Sequence, residues 1–203
     1  MFAALVVFLF PLAYSPGPGN AFFAAIGASK GVRAALPALA GYHVATFVVT
    51  VFIGMGMGVT VLQHPIVAKA LAAVGSVYVL WLAWQFIRSA RASTTASETS
   101  APDPRIGFWA GAVVLLLNPK AYYIIAVMFT QFLRPPDTGP VTALAITTVF
   151  TVNNLIAFLV WAYAGRGLAA LFRTASSKKW IDYGFAATLI VVAVWMALPL
   201  FVW

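Results

Sequence analysis

The chain contains no cysteine, which excludes disulfides, thiolate metal sites and thiol nucleophiles. Charge is nearly absent too: 8% of residues are charged, against about a quarter in a soluble domain. Only 4 residues are acidic, and none lies well inside an apolar run, Asp182 merely beginning the last one. With only 2 histidines, neither a carboxylate pair nor a His/Asp/Glu metal cluster can be assembled inside the apolar segments. Neither an enzyme nor a metal or cofactor site is therefore expected. There is no phosphate-binding loop of the Walker type, so any work must draw on a gradient or a partner. The first apolar run, MFAALVVFLFPLAY, has no basic region ahead of it, and it reads as an uncleaved span rather than a signal peptide.

What is present is apolar. Hydrophobic residues make up 63% of the 203, and the mean hydropathy is +0.97. Spans of about 20 apolar residues cross roughly 30 Å of hydrocarbon. On that measure about six are expected, at 2–28, 37–61, 66–87, 106–132, 141–164 and 181–202. They are too long and too unalternating for barrel strands, so the fold class is an all-α integral membrane protein embedded in the lipid bilayer. The polar stretch Arg91 to Arg105, RASTTASETSAPDPR, reads as a flexible linker between a three-helix half at 1–90 and another at 106–203, within a single transmembrane domain.

The basic excess follows the topology. Lys30, Arg33, Arg88, Arg91, Arg105, Arg166, Arg173, Lys178 and Lys179 fall in the loops after spans one, three and five, while Lys69 and Arg134 fall opposite. This bias places loops 29–36, 88–105 and 165–180 in the cytoplasm and both termini outside. It also explains the net charge of +8 without nucleic acid as a partner.

Two of the spans are interrupted. SPGPGN (Ser15 to Asn20) lies near the middle of the first, and LNPKAYY (Leu117 to Tyr123) inside the fourth. Three spans per half turn the second half over relative to the first. The chain is thus expected to be a 3+3 inverted repeat with broken helices 1 and 4, an arrangement that places transporter sites at the midplane. Lys120 lies 14 residues, roughly 21 Å, into its span, out of reach of water. A lysine at that depth costs roughly 2.5–3.5 kcal/mol, so a cavity or partner must offset it. Asn118 can cap a new half-helix with Pro119 at its first position. The resulting positive helix end, with Lys120 beside it, calls for an anion such as a carboxylate. In the first break, Pro16 and Pro18 remove backbone donors while Gly17 permits close approach. The freed carbonyls, with Ser15 and Asn20, suit an ammonium group. The pair of breaks suits a zwitterion.

These segments, with YVLWLAWQ (78–85) and QF (131–132), resemble the LysE/RhtB amino-acid exporter family over nearly the whole chain. The resemblance implies export of amino acids or similar small polar metabolites from the bacterial cytoplasm across the inner membrane, driven by an ion gradient. It points to Pro16, Gly17, Pro18, Asn20, Asn118, Pro119 and Lys120. Members often carry an acidic residue within the fifth span, where this chain has Val152, Asn153 and Asn154.

Tyr42, Phe22, Phe23, Tyr122 and Tyr123 are the aromatic candidates to line the pocket, and Asn153 or Asn154 is expected to contribute to it, because adjacent residues point about 100° apart on a helix. His43 is the one well-embedded side chain able to titrate near neutrality, hence the proton-coupling candidate. Most of the tryptophans lie near span ends and read as an interfacial belt. Small-residue spacings at Gly27 and Gly31, Gly54 and Gly58, and Gly107 and Gly111 read as helix-packing faces, with a homodimer contact as their other use. The leading expectation is a secondary transporter of amino acids working by alternating access. The alternative is an ion transporter or channel, because broken helices also expose carbonyls to ions.

Overall fold

The structure is a computed structural model that describes residues 1–56, 65–92, 107–133, 139–171 and 175–200. His64 and most of the expected linker, beyond Arg91 and Ala92, lie outside the described residues. Among the described residues every element is helical: α1 (Phe2–Tyr14), α2 (Pro18–Lys30), α3 (Val32–Gly54), α4 (Pro65–Ala92), α5 (Phe108–Leu116), α6 (Pro119–Phe132), α7 (Pro140–Leu171) and α8 (Ala175–Ala197), ending in a 3-10 turn at Leu198–Leu200.

Proline sets the two breaks. Both α2 and α6 start with proline at the first helical turn, where the missing N–H is no loss and the fixed φ suits the helix. Each bent pair, α1 with α2 and α5 with α6, turns by 64°. A bend below 90° keeps the chain advancing rather than returning to the face it entered. Helices of 13 residues rise about 20 Å each, so α1 and α2 together advance about 28 Å across a 64° bend. That matches one hydrocarbon thickness. Counting each bent pair as one span, with four continuous long helices, gives six candidate crossings. Both halves run bent pair, long helix, long helix, and on that count three crossings per half invert the second on the first.

The halves interlock rather than sit side by side. Helix α2 packs along α7, α3 along α5, and α4 along α8. The first two contacts are backbone against backbone. A methyl group on Gly27 would overlap the Ala162 carbonyl, and one on Gly165 the Ala24 carbonyl. On the other pair, Gly41 meets the Phe108 carbonyl and Gly111 the Ala38 carbonyl. Each contact is thus reciprocal: the residue three positions before each glycine (Ala24, Ala162, Ala38 and Phe108) offers its backbone to the glycine of the facing helix. The packing glycines differ from the spacing expected from sequence. Gly27 and Gly111 do pack, but against the backbone of Ala162 and Ala38 on facing helices. Gly31 instead joins α2 to α3 with φ 82°, a left-handed value that favours glycine, and Gly107 precedes α5 as its cap.

Both tight contacts lie toward the end that carries Lys30, Arg33 and Arg166. The opposite end is closed by side chains instead: Leu5 and Leu9 of α1, Ile53 of α3, Ile124, Ile125, Met128 and Phe129 of α6, and Ala143, Ile146 and Phe150 of α7 form a separate core there. The two breaks lie between these layers.

Candidate functional site

A helix interrupted in lipid must find new partners for its carbonyls, because no water is at hand to take them. In an uninterrupted helix, the N–H groups of residues 16 to 20 would serve the carbonyls of Leu12 to Pro16. Pro16 and Pro18 have no N–H, and the bend carries the others away. All five carbonyls nevertheless have donors. Ser15 Oγ donates to Leu12 O at 3.0 Å, and Asn20 Nδ2 to Ala13 O at 2.8 Å. Trp161 Nε1, from α7, donates to Tyr14 O at 3.2 Å. Lys120 Nζ, from α6, donates to Ser15 O at 3.0 Å and to Pro16 O at 3.2 Å. Its third proton goes to Ser15 Oγ at 2.8 Å, so all three ammonium donors are used. Regular helical bonding resumes at Ala21 N to Gly17 O, 2.9 Å.

Gly17 makes the cross-link possible. Its backbone is extended, so its value lies in space: a Cβ there would stand 3.1 Å from Lys120 Nζ and 3.2 Å from Lys120 Cδ. The lysine lies across the first break where a side chain would obstruct it.

The second break is closed by its own residues. Asn118 Oδ1 accepts from Lys120 N at 3.1 Å, the expected cap. Asn118 N donates to Leu115 O at 2.9 Å, and Ala121 N to Asn118 O at 3.0 Å. Tyr122 Oη donates to Leu116 O at 3.0 Å. The Leu117 carbonyl packs against Gly75 of α4, where a Cβ would overlap it.

Between the breaks is a cavity of about 20 Å³ lined by Asn20, Tyr42, Asn118, Lys120, Asn154 and Phe158, with Leu9, Leu12, Ile124 and Phe150 toward the side-chain-packed end. That is room for about one water. Asn118 Nδ2 lies 3.4 Å from Tyr42 Oη, and Asn154 also interacts with the Tyr42 hydroxyl. Below them Phe23, Tyr42 and Phe158 form an aromatic floor, with ring centroids 4.7 to 5.8 Å apart. An α-amino acid is several times larger than the cavity, so one enters only if the helices part.

Most of the residues singled out in the sequence come together here. Ser15, Pro16, Gly17, Pro18, Asn20, Asn118, Pro119 and Lys120 form the two facing breaks, and Tyr42 and Asn154 line the cavity. Three do not join them. Tyr123 is 68% exposed on the outer surface, because its neighbour Tyr122 takes the inward-turned position. Asn153 lies off the cavity lining, one position round the helix from Asn154, and its Nδ2 makes no hydrogen bond among the described residues. His43 is buried, with Nδ1 2.7 Å from the Leu39 carbonyl, and lines a separate apolar groove between α3 and α7.

Sequence reasoning assigned Trp161 to the interfacial belt. The structure instead turns its indole N–H to the Tyr14 carbonyl, a contact between α7 and α1 that no local sequence signal announced. Phe158, one turn before it, was also missed. Asp182 was placed at the threshold of its span. It is instead wholly buried, two turns into α8, because that helix starts at Ala175.

The family described as LysE type translocator matches residues 10–199. Over 195 residues the chain is 27% identical to a cysteine/O-acetylserine efflux protein of Klebsiella pneumoniae, covering 96% of this chain and 95% of the relative. Over 188 residues it is 26% identical to a homoserine/homoserine lactone efflux protein of Salmonella typhi, covering 92% and 90%. No solved structure matches the chain.

Proposed function

Because the chain belongs to the LysE-type translocators, we propose that it exports small α-amino acids from the cytoplasm through the cavity between its two broken helices. The cargoes named for its relatives, cysteine, O-acetylserine and homoserine, are small and carry both an α-ammonium and an α-carboxylate. The observation that carries the reading is Lys120. It is a charged side chain at mid-membrane depth, in the cavity wall, bonded across the molecule to the other half's break. Lysines at such depth mark substrate or ion pathways. The substrate carboxylate lies toward Lys120 and the positive end of α6, and the side chain toward Leu12, Ile124 and Phe150.

Transport is alternating access. In the conformation described here, the glycine contacts of α2 with α7 and α3 with α5 close the basic end, which the Lys/Arg bias places in the cytoplasm. Loading from that side requires these contacts to part, and release requires the Leu9, Ile124 and Phe150 layer to part. An ion gradient supplies the work, with His43 the candidate proton site. The test is counterflow in proteoliposomes with cysteine, O-acetylserine and homoserine, with and without a pH gradient. Uptake of labelled amino acid that depends on internal amino acid supports the reading. Uptake of simple ions with no amino-acid dependence replaces it with the channel alternative.

A further inference from the structure

The break at Ser15 and Pro16 already holds a primary ammonium group. Lys120 Nζ is surrounded by Ser15 O, Ser15 Oγ and Pro16 O at 2.8 to 3.2 Å, a complete acceptor set for one –NH₃⁺. The same three acceptors fit the α-ammonium of an amino acid equally well. They are neutral oxygens at the carbonyl, negative end of α1, so they select positive donors. The relatives' named cargoes carry the same requirement: cysteine, O-acetylserine, homoserine and homoserine lactone all have an α-ammonium, whereas the lactone has no free carboxylate.

We infer that Ser15 O, Ser15 Oγ and Pro16 O are the α-ammonium subsite, and that Lys120 occupies it as a tethered surrogate until substrate displaces it. The inference rests on the amino-acid reading given above. Binding is then an exchange. The substrate ammonium replaces Nζ on the three acceptors, and the released Lys120 takes the substrate carboxylate. Each charge keeps a partner throughout, which a dry cavity demands. A simple alkylammonium fails in this site because it frees Lys120 without supplying any oxygen acceptor, leaving two cations in the cavity, whereas a carboxylate, or a lactone carbonyl, gives the freed Lys120 a partner. Exchange also removes the Lys120 cross-link between α6 and the first break, one of the contacts that join the two halves.

The test reverses ligand preference. The full chain is purified in detergent and its melting followed by tryptophan fluorescence in homoserine, ethylammonium chloride, tetramethylammonium chloride and sodium chloride. For the unaltered chain, homoserine raises Tm in a concentration-dependent way and ethylammonium matches sodium chloride. For Lys120→Ala, ethylammonium raises Tm, because it fills the vacated acceptors, and tetramethylammonium does not, because it has no N–H. Should Lys120→Ala not purify as a folded species, Lys120→Ser is measured in the same way. The inference is overturned if the unaltered chain responds to homoserine but neither variant responds to ethylammonium, or if ethylammonium stabilises the unaltered chain as homoserine does. If no amino acid shifts the unaltered chain while ethylammonium still shifts the variants, the subsite stands and the proposed cargo fails.

Discussion

The two breaks bend by the same 64° and both restart on a proline, yet they are held by opposite means. The second closes itself with Asn118 and Tyr122, residues within four positions of Pro119. The first depends on distant donors: Trp161, 147 positions away in α7, and Lys120, 105 away in α6. The cause is the number of missing donors. PGP removes two N–H groups in three residues, while Asn-Pro-Lys removes one and supplies a capping side chain. One break is therefore an autonomous local structure, and the other exists only when the two halves meet. A joint that depends on the opposite half is the one that can report or permit their separation.

Substitutions at four positions bear on that contrast. Lys120→Ala removes the donor of both Ser15 O and Pro16 O, and is expected to abolish amino-acid counterflow while membrane abundance is retained. Normal transport by this variant ends the site assignment. Trp161→Phe keeps the ring but leaves the Tyr14 carbonyl without its donor. It should lower stability by about 1–3 kcal/mol, seen as a lower melting temperature, and slow transport. Asn118→Ala loses a cap worth about 1 kcal/mol, whereas Asn118→Asp keeps an acceptor for Lys120 N and should melt close to the unaltered chain. Tyr122→Phe removes the bond to Leu116 O from a partly buried residue and should cost least, about 0.5–1.5 kcal/mol, with transport preserved. A larger loss from Tyr122→Phe than from Trp161→Phe would reverse the comparison.

Much of the first-order picture was legible in the residues. Span length and hydropathy led to six expected crossings, and the prolines marked both breaks to within a residue or two. Asn118 was readable as a cap because capping is a local contest among neighbouring groups. Lys120 stood out because depth follows from counting along a helix. Its present partners were not readable. The carbonyls of the first break were expected to receive an ammonium, and the structure supplies Lys120's own. Trp161 shares no sequence neighbourhood with Tyr14, so only packing of α1 on α7 brings them together. The glycine contacts split in the same way. Small residues at close spacing announced tight helices, but which helix each would meet depended on the interlocking of the halves.

By itself the sequence determined that the chain lives in a bilayer, crosses it as helices, breaks two of them and carries one deep lysine. These are properties of short stretches, set by transfer of side chains to lipid and by backbone donors present or absent. The tertiary structure decided who satisfies the broken backbone, that Tyr123, Asn153 and His43 stand apart from the cavity, and that one end closes on glycine and the other on large side chains. Those outcomes rest on contacts between helices far apart in the chain, where the geometry of two surfaces meeting, and not the composition of either, fixes which groups touch.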